Sequence, residues 1–243
     1  MKNQNIKRIS FSELKNWKEC SYRHRLIYID KKEYFSGNEF TAFGTAIHTA
    51  CENKLLDPEI KAIDVFNKSF EQEISLLETF DLKLVEDMRK QAIPLCENIL
   101  PAIKSNFPDY KLISVEEEIL EPITEFEAYG KKFKGFIDLV IKTPDEKYHI
   151  IDWKSCSWGW GRDKRNNALI SYQLTYYKNF FSKKHNIEPK NIETYFALLK
   201  RTAAKDNVEI LRMTSGPKKV ENSLKVLENA VINIERNNFI KNR

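Results

Sequence analysis

The chain has 243 residues, of which 31% are charged, 42% hydrophobic and 12% aromatic, and its formal net charge is +5. A chain of this length can bury about 70–75% of its unfolded surface, so it needs neither disulfides nor a structural metal to fold. No apolar run approaches the roughly 20 residues that cross a bilayer, and the polar first residues lack the apolar segment of a secretory signal. We therefore expect a soluble, cytoplasmic protein with no membrane partner.

The cysteines and the positive charge add little beyond this. Cys20, Cys51, Cys96 and Cys156 lie far apart and form no Cys-x-x-Cys pair, which favours reduced thiols. The mild positive charge is compatible with a polyanionic partner but does not establish one. No repeat, low-complexity segment or linker divides the chain, so a single domain over residues 1–243 is predicted.

The first part of the chain, to about residue 110, follows a helical period. The segment SFSELKNWKECSYRHRLIYI starts with a capping box, Ser10-x-x-Glu13, and predicts an amphipathic helix. Three further helices are predicted, over residues 38–56, 58–80 and 82–103. The second of these is expected to have Pro58 in its first turn, and the third to be kinked or broken at Pro94.

From residue 111 the period changes to two, which predicts strands. Ile113, Val115, Glu117 and Ile119 are expected on one side of the first strand. The segment KKFKGFIDLVIKTPDEKYHIIDWKS predicts two more strands, joined by a Thr-Pro-Asp-Glu turn. A helix, two strands and a last helix are predicted over residues 167–183, 192–200, 207–213 and 217–236. This order predicts an α/β fold, with a mixed sheet core over about 111–212 behind a helical N-terminal half.

Two carboxylates stand on the predicted hairpin. Because side chains alternate along a strand, Asp138 shares a face with Phe136 and Val140, and Asp152 shares one with Lys154. If the strands pair, the two carboxylates converge, and a cation such as Mg²⁺ or Mn²⁺ would relieve their repulsion. Lys154 could then orient or deprotonate a bound water, or offset charge on a phosphate. The alternative is a plain ion pair between Asp152 and Lys154 at a strand end.

Two predicted helices each carry a pair of residues four positions apart, which places both members of the pair on one helical face. The first pair is Gly44 and His48, where a close backbone approach at the glycine could bring the imidazole to a metal. The second is Gln173 and Tyr177, an amide and a phenol. Taken alone, each pair is equally compatible with an ordinary surface or core role.

These features form four motifs in order along the chain: G-x-x-x-H on a helix, G-x-x-D on a strand, a hydrophobic run ending in D-W-K, and Q-x-x-x-Y on the next helix. The order resembles the PD-(D/E)XK nuclease superfamily, and within it the RecB-like branch, which includes CRISPR-associated adaptation nucleases. The resemblance covers about residues 10–200. It implies a restriction-endonuclease-like mixed β-sheet core flanked by helices, in one PD-(D/E)XK nuclease domain.

The resemblance also implies a metal centre. His48, Asp138, Asp152 and the main-chain carbonyl of Trp153 would bind Mg²⁺ or Mn²⁺, and Lys154 would be the catalytic lysine.

The resemblance also implies catalytic roles for the helix that carries Gln173 and Tyr177 and for the first predicted strand. Gln173 and Tyr177 would organise the site or hold the DNA strand. One of three consecutive glutamates, Glu116, Glu117 or Glu118, would be a further acidic contact. Glu117 is the predicted one, although its place among apolar strand positions could equally make it a strand-edge residue.

The segment SCSWGWGRDKRNN directly follows Lys154 and mixes aromatic and basic residues with two glycines. A loop of this composition beside a metal site suits contacts with a DNA backbone and stacking of bases, worth about 1–3 kcal/mol per base. The alternative is that the tryptophans cap the core beneath a solvated basic loop. The predicted DNA contacts are Trp158, Trp160, Arg162, Lys164 and Arg165.

Two features of the family are missing. Many relatives hold a four-cysteine iron-sulfur cluster, and Cys20 stands where its first ligand would be, but no cysteine follows Cys156, so we expect no such cluster. No GxxxxGK[ST] loop is present, so unwinding would need another protein, and a helicase or recombinase is a candidate partner.

The expected function is metal-dependent hydrolysis of DNA that leaves 5′-phosphate ends. An exonuclease that processes single- or double-stranded DNA ends in recombination, repair or replication is the first expectation. A structure-specific DNA endonuclease is the nearest alternative. A catalytically silent nucleic-acid-binding subunit is a third.

Overall fold

The computed structural model describes residues 7–32 and 37–241. Those residues form eight α-helices and one mixed sheet of six strands, which confirms the predicted α/β class with a helical N-terminal half. The outermost residues of the predicted domain lie outside this range. The helices are α1 Phe11–Glu19, α2 Ser21–His24, α3 Glu39–Leu56, α4 Ala62–Ser75, α5 Leu82–Asn106, α6 Arg162–Asn166, α7 Ala168–His185 and α8 Pro217–Glu235. The strands are β1 Arg8–Ser10, β2 Lys111–Pro122, β3 Lys132–Lys142, β4 Tyr148–Cys156, β5 Ile192–Lys200 and β6 Val208–Met213.

The sheet has the order β1-β3-β4-β5-β6, and β2 also pairs with β3. Strand β2 runs antiparallel along one edge of β3 for nearly its whole length. The other edge of β3 is shared, because β1 pairs in parallel with residues 132–134 and β4 pairs antiparallel with residues 139–142. That edge is therefore unpaired over residues 135–138, which leaves a gap in the sheet between β1 and β4. Beyond the gap, β4 pairs in parallel with β5, and β5 pairs antiparallel with β6.

Helices cover both faces of the sheet. On one face, α3, α4 and α5 pack against the sheet around an aromatic cluster of Phe43, Phe66 and Phe70. On the other face, α1, α7 and α8 form a second core, in which the rings of Phe133 and Phe180 stack with centroids 4.5 Å apart. The apolar hairpin strands are therefore buried from both sides. Among the described helices, none combines the length and apolar character needed to span a membrane.

Side-chain caps fix the two helices that carry the polar pairs. Asn38 caps α3 by accepting from the N–H groups of Phe40 and Thr41, and the Thr41 hydroxyl accepts from the Asn38 N–H in return. Asn167 caps α7 by accepting from the Ile170 N–H. Such caps satisfy amide groups that the first helical turn leaves unpaired, so the start of each helix is set by its sequence.

The N-terminal segment is not the single helix that was predicted. It begins with β1, and the chain is extended at Cys20, which separates α1 from α2. A π-helical turn, Arg25–Ile29, follows. Ser10 does cap α1 by accepting from the Glu13 N–H, but the Glu13 carboxylate lies 2.9 Å from Nε2 of His24 instead of completing a capping box.

The prediction for Pro58 was wrong, and the helix is not broken at Pro94. Pro58 lies in a turn before α4, which begins only at Ala62. Helix α5 continues through Pro94 without a break. A helical proline leaves unpaired the carbonyl of the residue four positions earlier. Here that residue is the exposed Lys90, so water can bind the freed carbonyl.

Strand β2 does not alternate as predicted. Its register with β3 shifts near Ser114, and Glu116 has a positive φ of 50°. As a result Ile113 is exposed, Val115 packs with the core beneath α3–α5, and Ile119 lies in the core on the opposite face. Odd-numbered residues of this strand therefore do not share one side.

Candidate metal centre

Two carboxylates lie in the gap where β3 and β4 separate. The paired residues of these strands end at Leu139 and Ile151. Just beyond, Oδ2 of Asp138 accepts a hydrogen bond of 2.7 Å from the N–H of Trp153, in place of a further backbone bond. Asp138 is 9% exposed and Asp152 only 1%. The hairpin therefore buries both acids and fixes the orientation of the first through the main chain of its partner strand.

A helix and a second strand bring two more ligand groups. Nδ1 of His48, on α3, lies 3.6 Å from Oδ2 of Asp138. His48, Glu116 and Asp138 each offer one ligand atom, and these atoms all lie within 4.8 Å of one another. Glu116 reaches the group from β2 at the position with φ of 50°, a left-handed conformation that is uncommon for residues other than glycine. Strained backbone of this kind often accompanies functional sites.

The electrostatics of the cluster favour a cation. Burial, and then the charge of Asp152, raise the pKa of Asp138 well above its usual range. Burial also raises the pKa of Glu116, with contributions from Glu52 and Asp152. For His48 burial lowers the pKa, which favours the neutral imidazole with a free lone pair. A divalent ion would stabilise the ionised carboxylates and accept that lone pair.

The donor set fits such an ion. Oδ1 of Asp152 accepts from Nε2 of Gln173 at 2.9 Å. Its Oδ2 is buried and pairs with the Lys154 ammonium, with Nζ 2.5 Å away. An ionised carboxylate has about four lone-pair sites, so Asp152 can keep both partners and still offer a ligand site to a metal ion. Carboxylate oxygens with one imidazole suit Mg²⁺ or Mn²⁺ better than a softer metal.

The remaining predicted residues line the same centre. Nε2 of Gln173 also donates to the Tyr177 hydroxyl at 3.1 Å, so the α7 pair connects to Asp152. Burial raises the pKa of Tyr177, which keeps the phenol protonated. The backbone of Trp153 lies close enough to His48 to oppose the effect of burial on the pKa of the imidazole. The structure thus brings together the predicted His48, Asp138, Asp152, Trp153, Lys154, Gln173 and Tyr177.

A glycine permits the close approach of β3 to α7, but it is not Gly44. A Cβ added at Gly135 would lie 2.7 Å from Cε1 of Tyr177, so no larger residue fits without displacing the phenol. A Cβ at Gly44 would lie 3.7 Å from Oγ of Ser155, which is an ordinary contact. The glycine of the G-x-x-D motif, and not that of G-x-x-x-H, therefore has a steric role.

Glu117, the predicted acidic contact, lies outside the cluster. Its carboxylate accepts from the Ser114 hydroxyl, from Nζ of Lys184 at 2.9 Å and from Nε2 of His185 at 2.5 Å. Glu116 faces Asp138, whereas Glu117 faces the end of α7. The structure therefore places Glu116, and not Glu117, with His48 and Asp138. Sequence alone does not reveal which of three consecutive glutamates has the left-handed backbone.

The two tryptophans after β4 have different environments. Trp158 is 75% exposed. Trp160 is 5% exposed, and its ring packs on Phe196 with centroids 4.9 Å apart. Trp160 would have to leave the core to stack on a base, so its predicted DNA contact is replaced by the alternative, a tryptophan that caps the core.

The basic residues of the same segment also differ in their environments. Arg165 donates to the Trp160 carbonyl and to Oε1 of Glu209, each at 2.7 Å, so its guanidinium is engaged within the fold. Arg162 and Lys164 lie on the exposed surface of α6.

A basic groove that the sequence did not predict opens beside Gln173 and Tyr177. It has a volume of about 810 Å³ and lies between β1, α1 and β3. Glu235 pairs with two of its lysines, Lys7 and Lys131. These cations come from distant parts of the chain, so no local pattern marks them. The basic residues that line it are Lys7, Arg8, Lys31, Lys131 and Lys134.

Comparisons with known proteins agree with the geometry. The model of the PD-(D/E)XK nuclease superfamily matches residues 8–242. No curated protein matches the sequence significantly. The crystal structure of a proposed exonuclease from Eubacterium rectale has the same fold, with a TM-score of 0.61 at 11% identity, over 100% of this chain and 89% of that chain. A match to the crystal structure of SSO0001 covers 91% of this chain and 84% of that chain at 15% identity. Its TM-score of 0.37 is too low to indicate a shared fold. Since the family match extends over nearly the whole sequence, the chain belongs to the PD-(D/E)XK nuclease superfamily.

Proposed function

We propose that this protein is a deoxyribonuclease that uses Mg²⁺ or Mn²⁺ to remove nucleotides from DNA ends. Superfamily membership implies a phosphodiester hydrolase that acts on nucleic acid with a divalent metal ion. One observation carries the proposal for this chain: His48, Glu116 and Asp138 converge beside the buried Asp152, with Lys154 next to it. The His48, Glu116, Asp138 and Asp152 side chains would hold the metal, with the Trp153 carbonyl as a further ligand.

The protein's own residues divide the chemistry between them. A divalent ion, when bound, supplies Lewis acidity and lowers the pKa of a water. The Lys154 ammonium, 30% exposed, can offset the charge that develops on a phosphate while Asp152 holds it in place. Gln173 fixes Asp152 in turn, and the Trp153 N–H fixes Asp138. Catalytic groups held in this way lose little entropy on reaching the reactive geometry.

The basic groove supports a DNA substrate. Its lysines and arginine can neutralise phosphates as a strand enters the gap between β1 and β4. We further propose that Arg162, Lys164 and Trp158, in the segment that follows Lys154, contact the DNA.

Removal of nucleotides from ends is proposed because the Eubacterium rectale protein with this fold is described as a proposed exonuclease. A role in recombination, repair or replication, with a helicase or recombinase as partner, follows from the resemblance to the RecB-like branch.

The test is cleavage of end-labelled linear DNA and closed circular DNA, each single- and double-stranded, with Mg²⁺ or Mn²⁺. Asp152→Asn and Lys154→Met are compared with Asp87→Asn and Lys90→Met, an exposed Asp–Lys pair on α5 with 3.7 Å between Oδ1 and Nζ. We expect the site variants to lose on the order of 10²–10⁴-fold in rate. The α5 variants should cleave normally.

Three outcomes would contradict parts of the proposal. Equal cleavage by site and α5 variants would remove the assigned centre. Cutting of closed circles would favour a structure-specific endonuclease. Binding of DNA by the parent protein without any cleavage would favour a catalytically silent subunit.

A further inference from the structure

A second groove lies at the C-terminal end of β4. It has a volume of about 420 Å³, and we call it the aromatic groove. It begins at Ser155, the residue after Lys154, and reaches Trp158. Four residues of extended chain span at most about 13–14 Å, so Trp158 lies close to the centre. The residues that form its walls include Phe40, Ser155, Ser157, Trp158, Lys164 and Arg201.

Four contacts position the Arg201 side chain in this groove. Its guanidinium carbon lies 5.0 Å from the ring centroid of Phe40 and 5.4 Å from that of Phe43. It also donates to Oε1 of Gln91 and to Oγ of Ser157, each at 3.2 Å. A planar cation fixed over an exposed ring makes a flat surface that is both charged and able to stack.

The backbone that carries Trp158 is fixed as well. The Cys156 carbonyl accepts from the Arg201 N–H at 2.8 Å. The Ser157 carbonyl accepts from both the N–H and the hydroxyl of Thr202, at 3.0 and 2.8 Å. Trp158 nevertheless has the most exposed large apolar side chain in the part of the chain that the structure describes, at 75%.

Phe40 is also exposed, at 49%. Two aromatic rings held on ordered backbone and left in water indicate a binding surface.

The charge of the groove selects its ligand. Lys164 and Arg201 line it, and none of the described residues in its walls is acidic. The nearby Glu209 is engaged by Arg165 and Lys200. Cations for phosphates and exposed rings for bases together form the usual surface for single-stranded nucleic acid. In a closed duplex the bases are stacked and paired, so they reach such rings only after unpairing.

We infer that the aromatic groove binds the single-stranded end of the DNA substrate, with bases stacked on Phe40 and Trp158. The inference rests on the proposed function, since it names the substrate form for the same centre. The enzyme then prefers single-stranded DNA, or ends that fray, to closed duplex.

The test is binding without turnover, measured by fluorescence anisotropy of a labelled oligothymidylate and of a labelled blunt duplex in EDTA. Each of Phe40→Ala and Trp158→Ala should bind the oligothymidylate roughly 5- to 150-fold more weakly than the parent, the range expected for loss of one stacked base. Trp158→Phe retains a ring and should stay close to the parent. The matched control is Leu56→Ala, because Leu56 is 59% exposed at the opposite end of α3, about 24 Å along the helix from Phe40.

The inference is overturned if Phe40→Ala and Trp158→Ala bind oligothymidylate like Leu56→Ala, or if their affinity for blunt duplex falls by the same factor. Asp152→Asn separates the two proposals, since it should bind oligothymidylate normally without cleaving it. Normal cleavage combined with normal binding by the groove variants contradicts the inference alone. Groove-dependent binding by a parent protein that cleaves no DNA contradicts the proposed function alone.

Discussion

Two adjacent glutamates on β2 should have opposite effects when each is changed to glutamine. The Glu117 side chain is 7% exposed and accepts hydrogen bonds from β2 itself and from the last turn of α7. Burial opposes its ionisation, but hydrogen bonds from Ser114, His185 and Lys184 together lower the pKa of Glu117. The ionised Glu117 carboxylate therefore links β2 to the end of α7 through these hydrogen bonds.

The magnitude follows from these partners. A hydrogen bond to a charged group contributes about 1.5–3 kcal/mol when it is shielded from water. The Lys184 and His185 side chains are 31% and 35% exposed, so water replaces part of each bond after the change. Glu117→Gln should therefore lower the free energy of unfolding by about 1–3 kcal/mol, well below the sum of three shielded bonds. Cleavage by the folded variant should be unchanged.

Glu116→Gln should have the reverse effect. The pKa of Glu116 is raised by burial and by the charges of Glu52 and Asp152, so its ionised form is repelled by its surroundings. Glutamine removes that repulsion, and stability in EDTA should be equal or slightly higher. The same change removes a proposed ligand, so affinity for Mn²⁺ should fall by about tenfold or more and cleavage should fall with it.

Urea unfolding in EDTA measures the two stabilities, and titration calorimetry with Mn²⁺ measures the metal affinity. Cleavage is compared at a temperature at which both variants are folded. The assignment of Glu116 and Glu117 is refuted if Glu117→Gln is as stable as the parent. It is equally refuted if folded Glu117→Gln fails to cleave while Glu116→Gln cleaves normally.

Three further predictions concern the metal and the packing around it. Mn²⁺ at 100 times its dissociation constant should stabilise the parent by about 2.7 kcal/mol in thermal unfolding, and Asp138→Asn should lose most of that gain. Gly135→Ala should cost about 1–3 kcal/mol in urea unfolding because the new Cβ meets Tyr177, whereas Gly44→Ala on α3 should be neutral or stabilise by up to about 1 kcal/mol. Trp160→Ala should cost about 3–5 kcal/mol, and a loss under about 1 kcal/mol would contradict its place in the core.

The hairpin was predictable because its signals are local. Apolar strands on either side of Thr143–Glu146 specify both the pairing and the turn, in which the Glu146 N–H donates to the Thr143 carbonyl at 3.0 Å. Once the pairing is known, side-chain alternation brings Asp138 and Asp152 to the same place. The spacing of four on α3 and α7 likewise predicted which residues share a helical face.

Other features depend on contacts between distant parts of the chain. Strand β1 has three residues, and it exists because β3 offers it an unpaired edge. The choice between Glu116 and Glu117 depends on a left-handed residue within β2, which propensity does not predict. Composition alone likewise did not distinguish the exposed Trp158 from Trp160, which packs on Phe196.

Trp153 gives a physical meaning to the unspecified letter in the D-x-K pattern. The N–H of this residue holds Asp138, while its side chain points away, 1% exposed, into the core under α3–α5. The task at the centre is thus performed by the peptide group, which every amino acid except proline can supply. Substitutions of Trp153 other than proline therefore leave the centre unchanged, and they are limited only by the space for the side chain beneath the sheet. Trp153→Pro is the one replacement that would leave every side chain of the centre in the sequence and still release Asp138.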